Sequence, residues 1–191
     1  MARPKEFNRD EALTKAVEVF WAKGFEATTM TDLRKAMGIG RQSLYDTFGD
    51  KNELFAEVLQ RYGKMNQGFL AAVLDGRGLD GVRDYLSSTV QALAYKPECR
   101  GCLTMNTCVD RAPHDPAVAE LTQRNLADVR AALEGALGRA VERGEVSADL
   151  DVAQSAAFLT NQVAGMAVLG KSGATADDLT STVTMALNAL V

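Results

Sequence analysis

Apolar residues recur along this chain at spacings of three and four, and no stretch sustains the two-residue alternation of a half-buried strand. The pattern predicts an all-α fold. Asn8 and Glu11 make a capping box ahead of Leu13, Ala16, Val17 and Phe20, and Gly24 is expected to stop that helix. Thr29 and Asp32 open a two-turn helix with Leu33, Ala36 and Met37 on its apolar side and Gly38 as its stop. Past the bend Gly38-Ile39-Gly40, residues 41–48 place Leu44 and Phe48 four apart and leave Gln42, Ser43, Tyr45 and Thr47 on other faces. Asp50 and Glu53 form another box, starting a long helix to about Leu74 with Gly68 as a weak point. Further helices are expected over residues 79–95, 102–111, 116–143 and 152–169, and from the Thr175–Asp178 box to the C-terminus, about nine in all.

Composition narrows the class. With 47% hydrophobic and 24% charged residues in 191, the chain can bury a core, which excludes intrinsic disorder. The net charge of -4 argues against a histone-like protein, yet residues 1–48 carry 8 basic and 7 acidic side chains while the rest carry 13 and 18. Only the N-terminal quarter approaches a phosphate backbone comfortably. The start, Met1 to Glu6, has no apolar leader core, and no run reaches the roughly 20 apolar residues of a membrane span, so a cytoplasmic protein without membrane partners is expected. Three cysteines within ten residues, an odd count in a reducing compartment, do not make a disulfide framework.

Two short helices joined by a glycine turn and preceded by a third form a helix-turn-helix arrangement, whose second helix fits a major groove. Spacing alone does not separate this from an inert three-helix unit. The residues do more: Ala16 to Phe20, Gly24-Phe25, Thr28-Thr29-Met30, Leu33, Ala36 to Ile39, Ser43-Leu44-Tyr45, Phe48, Lys51 and Leu54-Phe55 make an ordered string. From Ala12 to Tyr62 the chain closely resembles the DNA-binding domain of the TetR family of transcriptional repressors. The resemblance implies a dimer on a palindromic double-stranded DNA operator, released when a small molecule occupies the C-terminal domain. It divides the chain into residues 1–48 for DNA and 49–191 for effector binding and dimerisation.

Arg41, at the start of the reading helix, can bond bidentately to guanine; Gln42 can pair with adenine. Ser43 and Thr47 can reach bases or phosphate, and Thr29 and Thr31 open the bracing helix, whose N–H groups favour phosphate. Tyr45 and Lys51 stand at the family's phosphate-contacting tyrosine and lysine positions. Arg3 and Lys5 lie in an arm suited to the backbone or a minor groove. Two departures matter: Gly40 stands where many relatives have a capping Ser or Thr, and Asp46 repels phosphate unless it turns away or accepts from cytosine.

Tyr62, Met65, Phe69, Leu86, Val90, Leu93, Cys102, Met105, Leu126 and Val129 are the expected wall of an apolar pocket, and the same positions suit plain core. Small residues of the last two helices (Ala153, Ala156, Ala157, Ala164, Gly165, Ala167, Ala186 and Ala189), with Leu159, Val163, Leu179, Val183, Leu187 and Leu190, suit a two-on-two homodimer interface. The alternative is a monomer's core.

Cys99, Cys102 and Cys108 fall in a segment resembling a family branch, some members of which sense electrophiles or oxidants. They read as buried hydrophobes, as a sensor in which Cys102 occupies the first turn of a helix beside Arg100, or as metal ligands with His114. A separation of six on a helix, about 120° around the axis, weakens the metal reading of Cys102 and Cys108, and no metal or cofactor is expected. A thiol oxidoreductase using Cys99-x-x-Cys102 lacks the βαβ context, His114 lacks an orienting carboxylate, and the varied polar face of the reading helix argues against a purely structural dimer module.

Overall fold

A computed structural model describes residues 7–94 and 99–190. Among them are nine α-helices and no strand: α1 (Arg9–Ala27), α2 (Met30–Met37), α3 (Arg41–Phe48), α4 (Lys51–Leu74), α5 (Leu79–Ala94), α6 (Leu103–Asp110), α7 (Pro116–Glu142), α8 (Val152–Lys171) and α9 (Ala176–Asn188), with a 3₁₀ turn over Ala112–His114. Arg3 and Lys5, and the expected end of α5 at Tyr95, lie outside the described residues.

Each start follows from local chemistry. Asn8 accepts from the N–H groups of Asp10 and Glu11; Thr29, Asp50 and Thr175 form complete capping boxes with Asp32, Glu53 and Asp178. Asp115 caps α7 ahead of Pro116, where the missing N–H costs nothing. Gly24 interrupts α1, as the sequence suggests, at φ 77°, ψ 171°, and a short helical piece follows the kink to Ala27. The buried Thr28 hydroxyl donates to the Gly24 carbonyl freed by the kink, at 2.6 Å. Gly38 takes φ 71°, ψ 27°, closing α2 and letting Ile39 fold inward. α4 runs unbroken through Gly68.

Two apolar cores result. Phe20, Leu33, Leu44 and Phe48 of α1–α3 pack with Leu54, Phe55, Val58 and Leu59 from the first half of α4, so α4 completes the N-terminal core. A larger core joins the second half of α4 to α5, α7, α8 and α9 through Leu86, Leu133, Leu137, Leu159 and Leu179. The leucine ridge expected at a dimer face is largely consumed here: Leu159, Leu179, Val183 and Leu190 are buried within their own chain, as are Ala156, Ala167 and Ala186. The face left outward instead shows Phe158, Gly165, Val168 and Leu169 of α8 and Met185 of α9, the last 71% exposed.

α6 is held against α1 at both ends. Before its first turn, Arg100 bonds Glu18 at 2.6 Å and the Trp21 indole N–H donates to the Gly101 carbonyl at 3.1 Å. After its last turn, Arg111 lies 4.1 Å from the centre of the Phe25 ring and pairs with Glu26 and Asp115, each at 3.3 Å.

Candidate nucleic-acid interface and internal cavity

α3 turns Leu44 and Phe48 into the N-terminal core, which forces Arg41, Gln42 and Tyr45 outward. Thr31 and Arg34 of α2 and Arg41 and Tyr45 of α3 line one surface groove. Arg34 went unnoticed in the sequence, although it stands one turn after Thr31. The Arg41 guanidinium leans to 5.9 Å from the Tyr45 ring centre and makes no ion pair with a described residue. Gly40 precedes α3 without a side-chain cap, so the first turn keeps its N–H groups outward.

Asp46 does not stand free. The Gln42 amide donates one N–H to its carboxylate at 2.7 Å, one helical turn away, which leaves the second N–H and the side-chain carbonyl of Gln42 without a partner among the described residues. Ser43 and Thr47 are half-buried. Thr29 is occupied by its capping box, donating from hydroxyl and N–H to Asp32 at 2.8 and 3.0 Å. That hydroxyl first, and Lys23 second, lower the Asp32 carboxyl to about 2. Lys51 sits 4.2 Å above the Phe25 ring centre, within 3.4 Å of the Glu26 carbonyl.

Between the cores lies a cavity of about 260 Å³. Of the ten residues expected on its wall, Tyr62, Phe69, Leu93, Cys102, Met105, Leu126 and Val129 line it. Met65, Leu86 and Val90 do not: Met65 is 43% exposed on the outside, and Leu86 and Val90 are buried in the core. The helical period explains this. On α4 the wall positions are Tyr62, Asn66 and Phe69, and on α5 they are Tyr85, Ser88, Thr89 and Ala92; Leu86 and Val90 lie about 100° or more round the helix from Tyr85. Trp21, Asn66, Tyr85, Ser88, Asn125, Thr160 and Val163 also line the cavity and were missed, because they alternate with core positions that carry a stronger apolar pattern.

Cys102 is not in a helix turn. It precedes Leu103 as the residue ahead of α6, with its sulfur 3.5 Å from the Tyr62 hydroxyl, and Arg100 directs its guanidinium to Glu18. Burial, and secondly the nearby Cys102, push the Tyr62 and Tyr85 phenols above their ordinary range, so both stay neutral donors. Burial likewise pushes the Cys108 thiol up. Among the described residues no group of three or more His, Cys, Asp or Glu is placed to hold a metal, His114 is exposed in the 3₁₀ turn, and no helix is long and apolar enough to cross a membrane.

Residues 12–58 match the model of the bacterial regulatory proteins of the tetR family, and residues 78–184 that of the tetracyclin repressor-like C-terminal domain. The uncharacterized HTH-type transcriptional regulator YezE of Bacillus subtilis is 33% identical over the full length of both chains. The HTH-type transcriptional repressor ComR of Escherichia coli is 32% identical over 93% of this chain and 86% of its own. Among solved structures, a cysteine mutant of the TetR family transcriptional regulator CifR, complexed with 26-bp double-strand operator DNA, superimposes with a TM-score of 0.86 at 30% identity over 100% of both chains. The reduced form of E. coli NemR, at 18% identity and a TM-score of 0.87 over 96% of this chain and 97% of its own, shares the fold. The helix-turn-helix, the second helical unit and these full-length matches agree: the chain belongs to the TetR family of bacterial transcription regulators, and not to a family of enzymes.

Proposed function

We propose that this regulator is a cytoplasmic repressor, dimeric on a palindromic operator, released when a small molecule fills the cavity, with residues 1–48 serving DNA and 49–191 the effector and the partner subunit. One observation carries the reading: Trp21, on the first helix of the DNA-reading unit, is also part of the cavity wall. Arg41 and Gln42 address bases; Thr31, Tyr45 and Lys51 address phosphates, with Ser43 and Thr47 at the margin and Thr29 fixing α2. Phe158, Gly165, Val168, Leu169 and Met185 supply the two-fold face, since α8 and α9 turn this apolar row away from their own core. Selection of bound sequences from random duplex DNA tests the reading. A palindrome supports it; no enrichment at modest salt rejects it. Sedimentation of Val168→Glu tests the face, which predicts a monomer.

A second reading is supported by the place of Cys102 on the same wall: a covalent adduct on its sulfur would occupy the cavity as a bound molecule does. CifR, the 30% identical relative, was solved with operator DNA as a cysteine mutant. Operator titration after thiol labelling of the wild type and of Cys102→Ser separates the two readings. Release only of the labelled wild type favours the thiol.

A further inference from the structure

The cavity wall specifies its occupant by charge and shape. Among the described residues, no Asp, Glu, Lys, Arg or His lines it. Two aromatic pairs flank it: Trp21 and Tyr62 meet edge to face at 5.4 Å, and Phe69 and Tyr85 stand tilted at 6.1 Å. A planar ring enters such a slot with favourable edge and face contacts on both sides. A charged ligand finds no counter-charge there, and stripping its water costs several kcal/mol with nothing to offset it.

The polar groups on the wall are mostly spent. Asn125 donates to the Leu59 carbonyl and to Thr104, each at 3.3 Å; Thr160 donates to Ala156 and Thr89 to Tyr85. Asn66, Ser88 and the hydroxyl of Tyr85 have no side-chain hydrogen bond to a described residue, and these residues line the cavity from α4 and α5. They provide for one polar substituent. A cavity of 150 Å³ holds benzene, so 260 Å³ accommodates about ten non-hydrogen atoms.

We infer that the cavity binds an uncharged aromatic molecule of about ten non-hydrogen atoms carrying one hydrogen-bonding substituent, held between the Trp21–Tyr62 and Phe69–Tyr85 pairs and met by Asn66 and Ser88. This rests on the cavity being the effector site, but its test does not depend on DNA. The full chain is titrated with phenylpropanamide, its isosteric anion phenylpropanoate, and phenylpropylammonium. Binding is read by calorimetry and by the fluorescence of Trp21, the one tryptophan in the chain. The amide should bind about a hundredfold tighter than either ion. Met105→Glu, which places a carboxylate on the wall, should turn the preference toward the ammonium probe, and Met105→Gln should keep the order of the wild type. A charged probe binding the wild type as tightly as the amide, or none of the three binding with Trp21 unperturbed, overturns the inference. Amide binding that leaves operator affinity unchanged upholds it and counts against release by cavity occupancy.

Discussion

Replacing Arg41 and Lys51 by alanine, one at a time, separates sequence reading from phosphate attraction. Arg41 makes no side-chain hydrogen bond or ion pair to a described residue and lies 5.9 Å from the Tyr45 ring centre, near the limit of a cation–π contact and worth about 0.5 kcal/mol on an open surface. Its loss leaves the fold nearly as stable while costing about 1–3 kcal/mol per half-site at the operator, with choice relaxed at one base pair. Lys51 differs because its ammonium rests on Phe25, itself 4.9 Å from Phe55 in the N-terminal core. Lys51→Ala therefore costs about 0.5–1 kcal/mol of stability, weakens every duplex alike and lowers the salt slope by about one per protomer. Fluorescence anisotropy with selected and scrambled duplexes across a salt series, alongside urea unfolding, reads all four quantities. If Arg41→Ala weakens scrambled DNA as much as operator, or Lys51→Ala leaves the salt slope unchanged, the division of roles is wrong.

Arg111→Ala removes the clamp joining Phe25, Glu26 and Asp115, so urea unfolding should show a loss of about 1–3 kcal/mol. Gly63→Ala would ordinarily favour α4, but the new Cβ would meet the Asn125 side-chain oxygen, displacing an amide bonded to Leu59 and Thr104; a net loss of about 1–3 kcal/mol is expected in the same assay. Burial, then Cys102, raise the Tyr85 phenol above 10.0. Below that value both states are protonated; above it the unfolded chain ionises first. Thermal stability should fall as pH rises past 10.0, and less so in Tyr85→Phe.

The helix pattern was legible because capping boxes and apolar faces are local: Thr29 with Asp32, Asp50 with Glu53 and Thr175 with Asp178 all cap as their spacing implies. The short helical piece beyond Gly24 was not, since glycine both stops and bends helices, and past the kink Phe25 packs beside Phe20 and Phe55 from distant positions. Side-chain chemistry brought Thr31 and Arg41 to view and the resemblance Tyr45 and Lys51, yet neither revealed the Gln42–Asp46 bond, which uses one N–H of the amide expected to meet adenine. The cavity was the least legible part. Its wall joins α1, α4, α5, α6, α7 and α8, and whether Leu86 faces core or cavity depends on how α5 is rotated, which no local spacing records. Cys102 shows the same limit: one residue of helix boundary moves it from a first turn to the chain ahead of it.

Among the described residues of the reading unit, Trp21 lines the cavity, so deleting its N–H while keeping an aromatic ring tests how occupancy is transmitted. Trp21→Phe leaves a face for Tyr62 but orphans the Gly101 carbonyl, a cost of about 1 kcal/mol confined to the contact between α1 and the segment before α6. The neighbouring Arg100–Glu18 pair is exposed and cannot replace it. If the indole bond ties cavity occupancy to the position of α1, the variant should bind phenylpropanamide within a few-fold of the wild type, yet lose most of the change in operator affinity that the probe causes. Linkage supplies the check: operator DNA must weaken probe binding by the same factor as probe weakens operator binding, in each protein. Calorimetry on free and operator-bound protein measures one side, and anisotropy with and without probe the other. A variant whose two factors agree with each other and equal those of the wild type would show that the coupling runs elsewhere, through Arg111 at the far end of α6 or through the packing of α4 on α1.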